Sequence, residues 1–70
     1  MNTSALQAEL LTDRKVEKLL NVSRAALRRW RTSGEGPPWV RIGKRLVRYP
    51  SDKLREWIEQ QAGVGTEARQ

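Results

Sequence analysis

Cysteine and histidine are both missing from the 70 residues, and each absence removes a class of protein. Without cysteine there is neither a disulfide framework nor a thiolate zinc site, and without histidine the commonest metal ligand and general base is gone. Long hydrophobic runs are missing too. Apolar residues make up 37% of the chain, but they come in short runs, far below the ~20 residues needed to span a bilayer. No apolar signal region follows Met1. The chain is long enough for one small domain with a compact core, and too short for an enzyme's pocket in addition to its scaffold. From these absences the default expectation is a soluble, intracellular, non-enzymatic protein that folds on packing alone, with no cofactor or metal expected.

What the chain has is charge in one place. From Ser23 to Tyr49 there are eight basic residues, Arg24, Arg28, Arg29, Arg31, Arg41, Lys44, Arg45 and Arg48, against one acid, Glu35. The remainder carries six basic and seven acidic residues, so this window accounts for more than the whole net charge of +6. Clustered Lys and Arg gain affinity for a polyanion by releasing counterions from its phosphates. Charge alone leaves duplex DNA, RNA, a membrane surface and an acidic protein all open as partners.

Periodicity divides the chain into three helical patterns and one hairpin. Residues 1–10 have no strong pattern and are expected to fray as a flexible segment. Thr12 is a plausible N-cap, and Val16, Leu19 and Leu20 share a helix face, with Leu11 and Val16 in hydrophobic-staple positions; a first helix is predicted over Asp13 to Leu20. Asn21-Val22-Ser23 interrupts it. Ser23 then caps a second helix, with Val22 stapled onto Leu27. At about 100° per residue, Ala26, Leu27 and Trp30 fall on one side of that helix. Arg24, Ala25, Arg28 and Thr32 fall opposite, and Arg29 and Arg31 lie on the flanks. An ordinary solvated helix would interleave acids at i, i+4, and this one does not, so its basic face reads as a binding face.

Gly34 closes the second helix, and Glu35-Gly36-Pro37-Pro38 is a stiff connector. Beyond it the period becomes two. Trp39 to Ile42 and Arg45 to Tyr49 flank Gly43-Lys44, which suits a two-residue type II′ turn. Val40, Ile42, Val47 and Tyr49 are expected to face the core, with Arg41 and Arg48 pointing outward, Lys44 and Arg45 at the tip, and Trp39 as a packing anchor. A third helix is expected from Ser51 as N-cap, with Leu54, Trp57 and Ile58 inward. Glu56 and Glu59 read as solvated carboxylates rather than an acid/base pair, having no pocket around them. The helix is expected to break after Gln61 at Gly63-Val64-Gly65-Thr66. The predicted organisation is therefore a domain over residues 11–61 between flexible segments at 1–10 and 62–70.

Three segments together resemble a known family. Leu11-Thr12-Asp13, Val16, Leu19 to Arg24, Leu27 and Trp30 form the first. Arg41 to Arg45 with Val47-Arg48-Tyr49 form the second, and Ser51-Asp52, Leu54 and Trp57-Ile58 the third. In this order they resemble the small MerR-like winged helix-turn-helix proteins, above all the phage and integrative-element excisionases and AlpA-type regulators. The resemblance implies a mostly α fold of three helices with a two-stranded wing. It also implies that the second helix enters the major groove through Ser23, Arg24, Ala25, Arg28 and Arg29, while Lys44 and Arg45 serve the wing.

Elementary recognition chemistry agrees with that division. Arg bonds guanine O6 and N7 in a bidentate manner, and residues near the N-terminus of a recognition helix reach the bases, which favours Arg24 and Arg28. Arg29, Arg31, Arg41 and Arg48 are expected on phosphates, with Thr32 on the exposed face beside them. A lone domain of this size reads only a few base pairs, so further copies on adjacent sites, or a partner such as a phage-type integrase, are expected from what is otherwise a monomer. An excisionase working in a bacterial or phage-infected cytoplasm is the leading expectation. Unlike full-length MerR-type activators, the chain is not expected to respond to a small effector. An AlpA-type transcriptional regulator, a small terminase subunit and a protein-interaction module for an acidic partner remain the alternatives.

Overall fold

The computed structural model describes the backbone of residues 8–68 and the side chains of residues 8–61. Its element order is β1 (Leu10–Leu11), α1 (Asp13–Leu20), α2 (Arg24–Ser33), β2 (Val40–Ile42), β3 (Leu46–Pro50) and α3 (Ser51–Ala68). The expected flexibility of residues 1–7 and 69–70 lies outside the described residues.

Local chemistry sets the helix-turn-helix. The Thr12 hydroxyl accepts a hydrogen bond from the Lys15 backbone N–H, and the Ser23 hydroxyl accepts one from Ala26 N–H, so both helices begin at the expected caps. α1 ends at Asn21, whose φ of 57° is left-handed, and α2 ends at Gly34 with φ 81°. Both staples close on the core: Leu11, Val16 and Leu27 are buried, and Val22 packs beside them.

The core takes one residue from each of five elements: Leu11 from β1, Val16 from α1, Leu27 from α2, Tyr49 from β3 and Leu54 from α3. Trp30, Trp39, Val47 and Trp57 pack against it while half-buried. Trp30 and Trp57 pack in a tilted arrangement, with ring centroids 5.8 Å apart and planes at 51°. Gly36 must pass close to this pair, because a Cβ there would stand 2.7 Å from the Cβ of Trp30.

Strand pairing departs from expectation in three ways. First, the sheet has three antiparallel strands in the order β1-β3-β2, not two. Leu10 pairs with Pro50 and Leu11 with Tyr49, and the pairing is extended by Ser51 N–H donating to the Glu9 carbonyl at 2.8 Å. Order thus begins before Leu11, because a free edge of β3 is available to a segment some forty residues away. Second, Ser51 does not cap α3. Its hydroxyl accepts from Glu9 N–H at 2.9 Å, tying β1 to the start of the helix.

Third, Ile42 pairs with Leu46, so Gly43, Lys44 and Arg45 form a three-residue turn, with Gly43 at φ 68°. One residue of register reverses the faces of β2. Val40 now lies opposite Arg48 and Arg41 opposite Val47. Because Val47 and Tyr49 point inward, Arg41 shares their side, while Val40 and Ile42 are 39% and 42% exposed instead of joining the core.

Two further inward assignments fail: Leu19 and Ile58 are 55% and 41% exposed. Both line one open groove beside the core residues Leu11 and Leu54. α3 also continues past Gln61 to Ala68, through Gly63 and Gly65. Glycine costs a helix about 1 kcal/mol relative to alanine, which weakens the i to i+4 ladder without interrupting it. Among the described residues no helix is long and apolar enough to cross a membrane.

Candidate nucleic-acid interface

α1 and α2 pack on each other, and β3 packs against α1 and α3 and is tied to α2 through the Arg31–Tyr49 hydrogen bond, leaving an open cleft between the helices and the hairpin. The cleft has a volume of about 820 Å³ and is lined by Thr12, Asp13, Arg14 and Glu17 from the α1 side, Arg24, Arg28 and Arg31 from α2, and residues 45–48 from the hairpin. Six arginines therefore converge on it: Arg14, Arg24, Arg28, Arg31, Arg45 and Arg48. The hairpin's free edge can line the cleft because β1 covers β3 only at Tyr49 and Pro50.

Arg24 and Arg28, the residues expected to read bases, are both exposed and project from α2 into the cleft. Ser23, Ala25, Arg29 and Thr32 are exposed on the same helix but do not line it. The Ser23 cap uses the oxygen as acceptor, which leaves its O–H for an outside partner such as a phosphate. Thr32 returns its hydroxyl to the Arg28 carbonyl at 3.3 Å. On the wing, Arg45 and Arg48 reach the cleft, and Lys44 is exposed at the tip. Arg48 is steadied by donating from Nη1 to the Val47 carbonyl at 2.8 Å. Arg41 is turned away, with its guanidinium 5.4 Å from the centroid of the Trp39 ring.

Arg31 plays a different part from the one expected. It is half-buried, and its Nη1 donates both to Asp13 Oδ1 at 2.9 Å and to the Tyr49 hydroxyl at 2.8 Å. Only 18% of the Arg31 and Asp13 side chains is exposed, so this pair forms the floor of the cleft. Burial pulls the Arg31 pKa down, but the hydrogen bond to Tyr49 and the bond and charge of Asp13 outweigh it and raise the pKa above its usual range. Burial pushes the Tyr49 phenol up, with Arg31 opposing. Helical periodicity puts Arg31 on the flank of α2, and only the fold brings Asp13 and Tyr49 to it.

Arg14 is the one lining arginine outside the charge-rich window, nine residues upstream of Ser23. Its signal was positional: it stands in the first turn of the helix that crosses the backbone in helix-turn-helix docking. Glu56 and Glu59 are exposed, and Glu56 lies 3.9 Å from Lys53.

Two capped helices joined by a tight turn, a third helix and a small antiparallel sheet define a winged helix-turn-helix, a fold that presents one helix and a hairpin to DNA. A family model described as helix-turn-helix domain matches residues 10–62, and the chain belongs to that family of small DNA-binding domains. No curated protein and no solved structure gives a match.

Proposed function

We propose that the protein is a sequence-specific duplex-DNA-binding factor that seats α2 in the major groove and one phosphate strand in the cleft beneath the wing. The observation that carries this reading is the convergence of Arg14, Arg24, Arg28, Arg45 and Arg48 from three separate segments on one open cleft. Charge scattered over a surface gives no track for a backbone; charge lining both walls of a cleft does. Arg24 and Arg28 take the base edges, with Ser23, Ala25 and Arg29 against the groove walls. Arg14, Arg45, Arg48 and Lys44 hold phosphates. Arg41, held at Trp39, contributes long-range attraction, and Arg31 holds the floor.

The biological role we propose is that of an excisionase. It would bind adjacent sites, bend the DNA and direct a phage-type integrase toward excision, performing no chemistry itself. Support comes from the small winged format and from the resemblance of the three sequence segments to MerR-like excisionases. An excision assay with the cognate integrase tests it: excision should require this protein. Excision that proceeds equally without it, together with a promoter reporter that responds, would move the assignment to an AlpA-type regulator. Mapping protected sites distinguishes the two independently, since tandem copies beside a recombination core belong to the first role.

A further inference from the structure

We infer that Asp13 is a positioning residue for recognition, an acid built into the basic cleft to suppress indiscriminate phosphate binding and to hold Arg24 in its reading position. This rests on the duplex-DNA reading above and concerns how that site tells one sequence from another.

Asp13 lies in the first turn of α1, where an acid is locally favourable, but its surroundings ask more of it. Oδ1 accepts the bond from Arg31 Nη1 at 2.9 Å, and Oδ2 lies 3.9 Å from Arg24 Nε. The two arginines differ sharply in exposure. Arg31 is 18% exposed and fixed, whereas Arg24 is 70% exposed and would otherwise sweep a wide arc. The carboxylate thus biases the arc of Arg24 from a rigid anchor, in a cleft where Glu17 is the only other acid among the lining residues.

Two consequences follow from the charge. A neutral amide could still accept the Arg31 hydrogen bond, so bonding alone does not require an acid at this position. The negative charge offsets Arg31 at the floor, which leaves a phosphate to be held by the arginines higher on the walls. A phosphate kept at that height allows α2 to approach the bases; one drawn to the floor would bind any sequence equally. Asp13 therefore lowers affinity for DNA in general and acts on sequence preference through Arg24 and Arg31.

The test is the variant Asp13→Asn, compared with the parent on a random-sequence duplex and on a duplex enriched from a random library by the parent. The expected result is about fivefold tighter binding of the random duplex at low salt, with no matching gain on the enriched one, so that the ratio falls. Asp13→Glu should restore the parent's ratio. Equal weakening on both duplexes with a lowered melting temperature would show a purely structural residue and overturn the inference. An unchanged ratio would overturn it as well. Should the parent bind no duplex at all, the functional reading itself fails, which is a separate outcome. A measurement on the unmutated protein guards against misfolding of the variant: ¹⁵N relaxation at the arginine Nε–Hε groups should show Arg24 more ordered than Arg28, and equal disorder would contradict the inference.

Discussion

Arg31 donates to the hydroxyl of Tyr49 at 2.8 Å, joining the last turn of α2 to β3, the second strand of the hairpin. The same nitrogen bonds Asp13, so one side chain sets the spacing of three elements around the cleft. Arg31→Ala should therefore cost about 2–3 kcal/mol, because it leaves Asp13 and Tyr49 with unmet partners at a mostly buried site. Arg29→Ala, on an exposed stretch of the same helix, should change stability by less than about 0.5 kcal/mol. Thermal or denaturant melts of the two variants check this, and equal losses would show that Arg31 is not structural.

The Tyr49 phenol gives stability an alkaline limit. Its folded pKa is raised above the ordinary value of about 10, as burial disfavours the phenolate. The folded state then holds its proton more tightly than the unfolded chain, so this contribution is fully present below about pH 10 and is lost as pH rises through the folded pKa. Arg31, also raised, acts in the same direction at higher pH still. Because Tyr49 is the only tyrosine, its ultraviolet titration can be read without ambiguity. The curve should lie above that of the denatured chain, and melting temperatures should begin to fall near the unfolded value.

Gly36 is required by contact rather than by backbone angle. Gly36→Ala would set a methyl group 2.7 Å from the Trp30 Cβ, and the expected loss is about 1–3 kcal/mol. Fluorescence should report it, since Trp30 and Trp57 pack together in this region. Full stability in the variant would show that the connector has room to move.

Helix and wing should fail differently when their charges are removed. Arg28→Ala should lower the ratio of specific to random-duplex binding. Lys44→Ala combined with Arg45→Ala should weaken both and reduce the salt slope by about two. Parallel effects of the two variants on the ratio would contradict the division between base reading and phosphate contact.

Much of this architecture was legible in the sequence because it is local. Thr12, Ser23 and Gly34 mark helix ends through bonds reaching only three or four residues, and the staples Leu11 to Val16 and Val22 to Leu27 lie within the same reach. What escaped depends on distant partners. The pairing of Leu10–Leu11 with Tyr49–Pro50 cannot be read from either segment alone, nor can the use of Ser51 by Glu9. Extending the hairpin turn to include Arg45 reversed the two faces of β2 and moved Val40 and Ile42 out of the core. In the cleft, charge density pointed to Arg24, Arg28, Arg45 and Arg48, whereas the tie of Arg31 to Asp13 and Tyr49 joins residues eighteen positions apart in each direction.

The central claim is that the arginine cleft holds the phosphate backbone of a duplex, and binding of the intact protein to duplex DNA as a function of salt tests it most directly. Contact with about 4–6 phosphates predicts that log K falls against log salt with a slope of about −4 to −5. The slope should shrink by about one in each of Arg14→Ala and Arg48→Ala. Absence of binding at low salt, or binding whose slope those two substitutions leave untouched, would contradict the account.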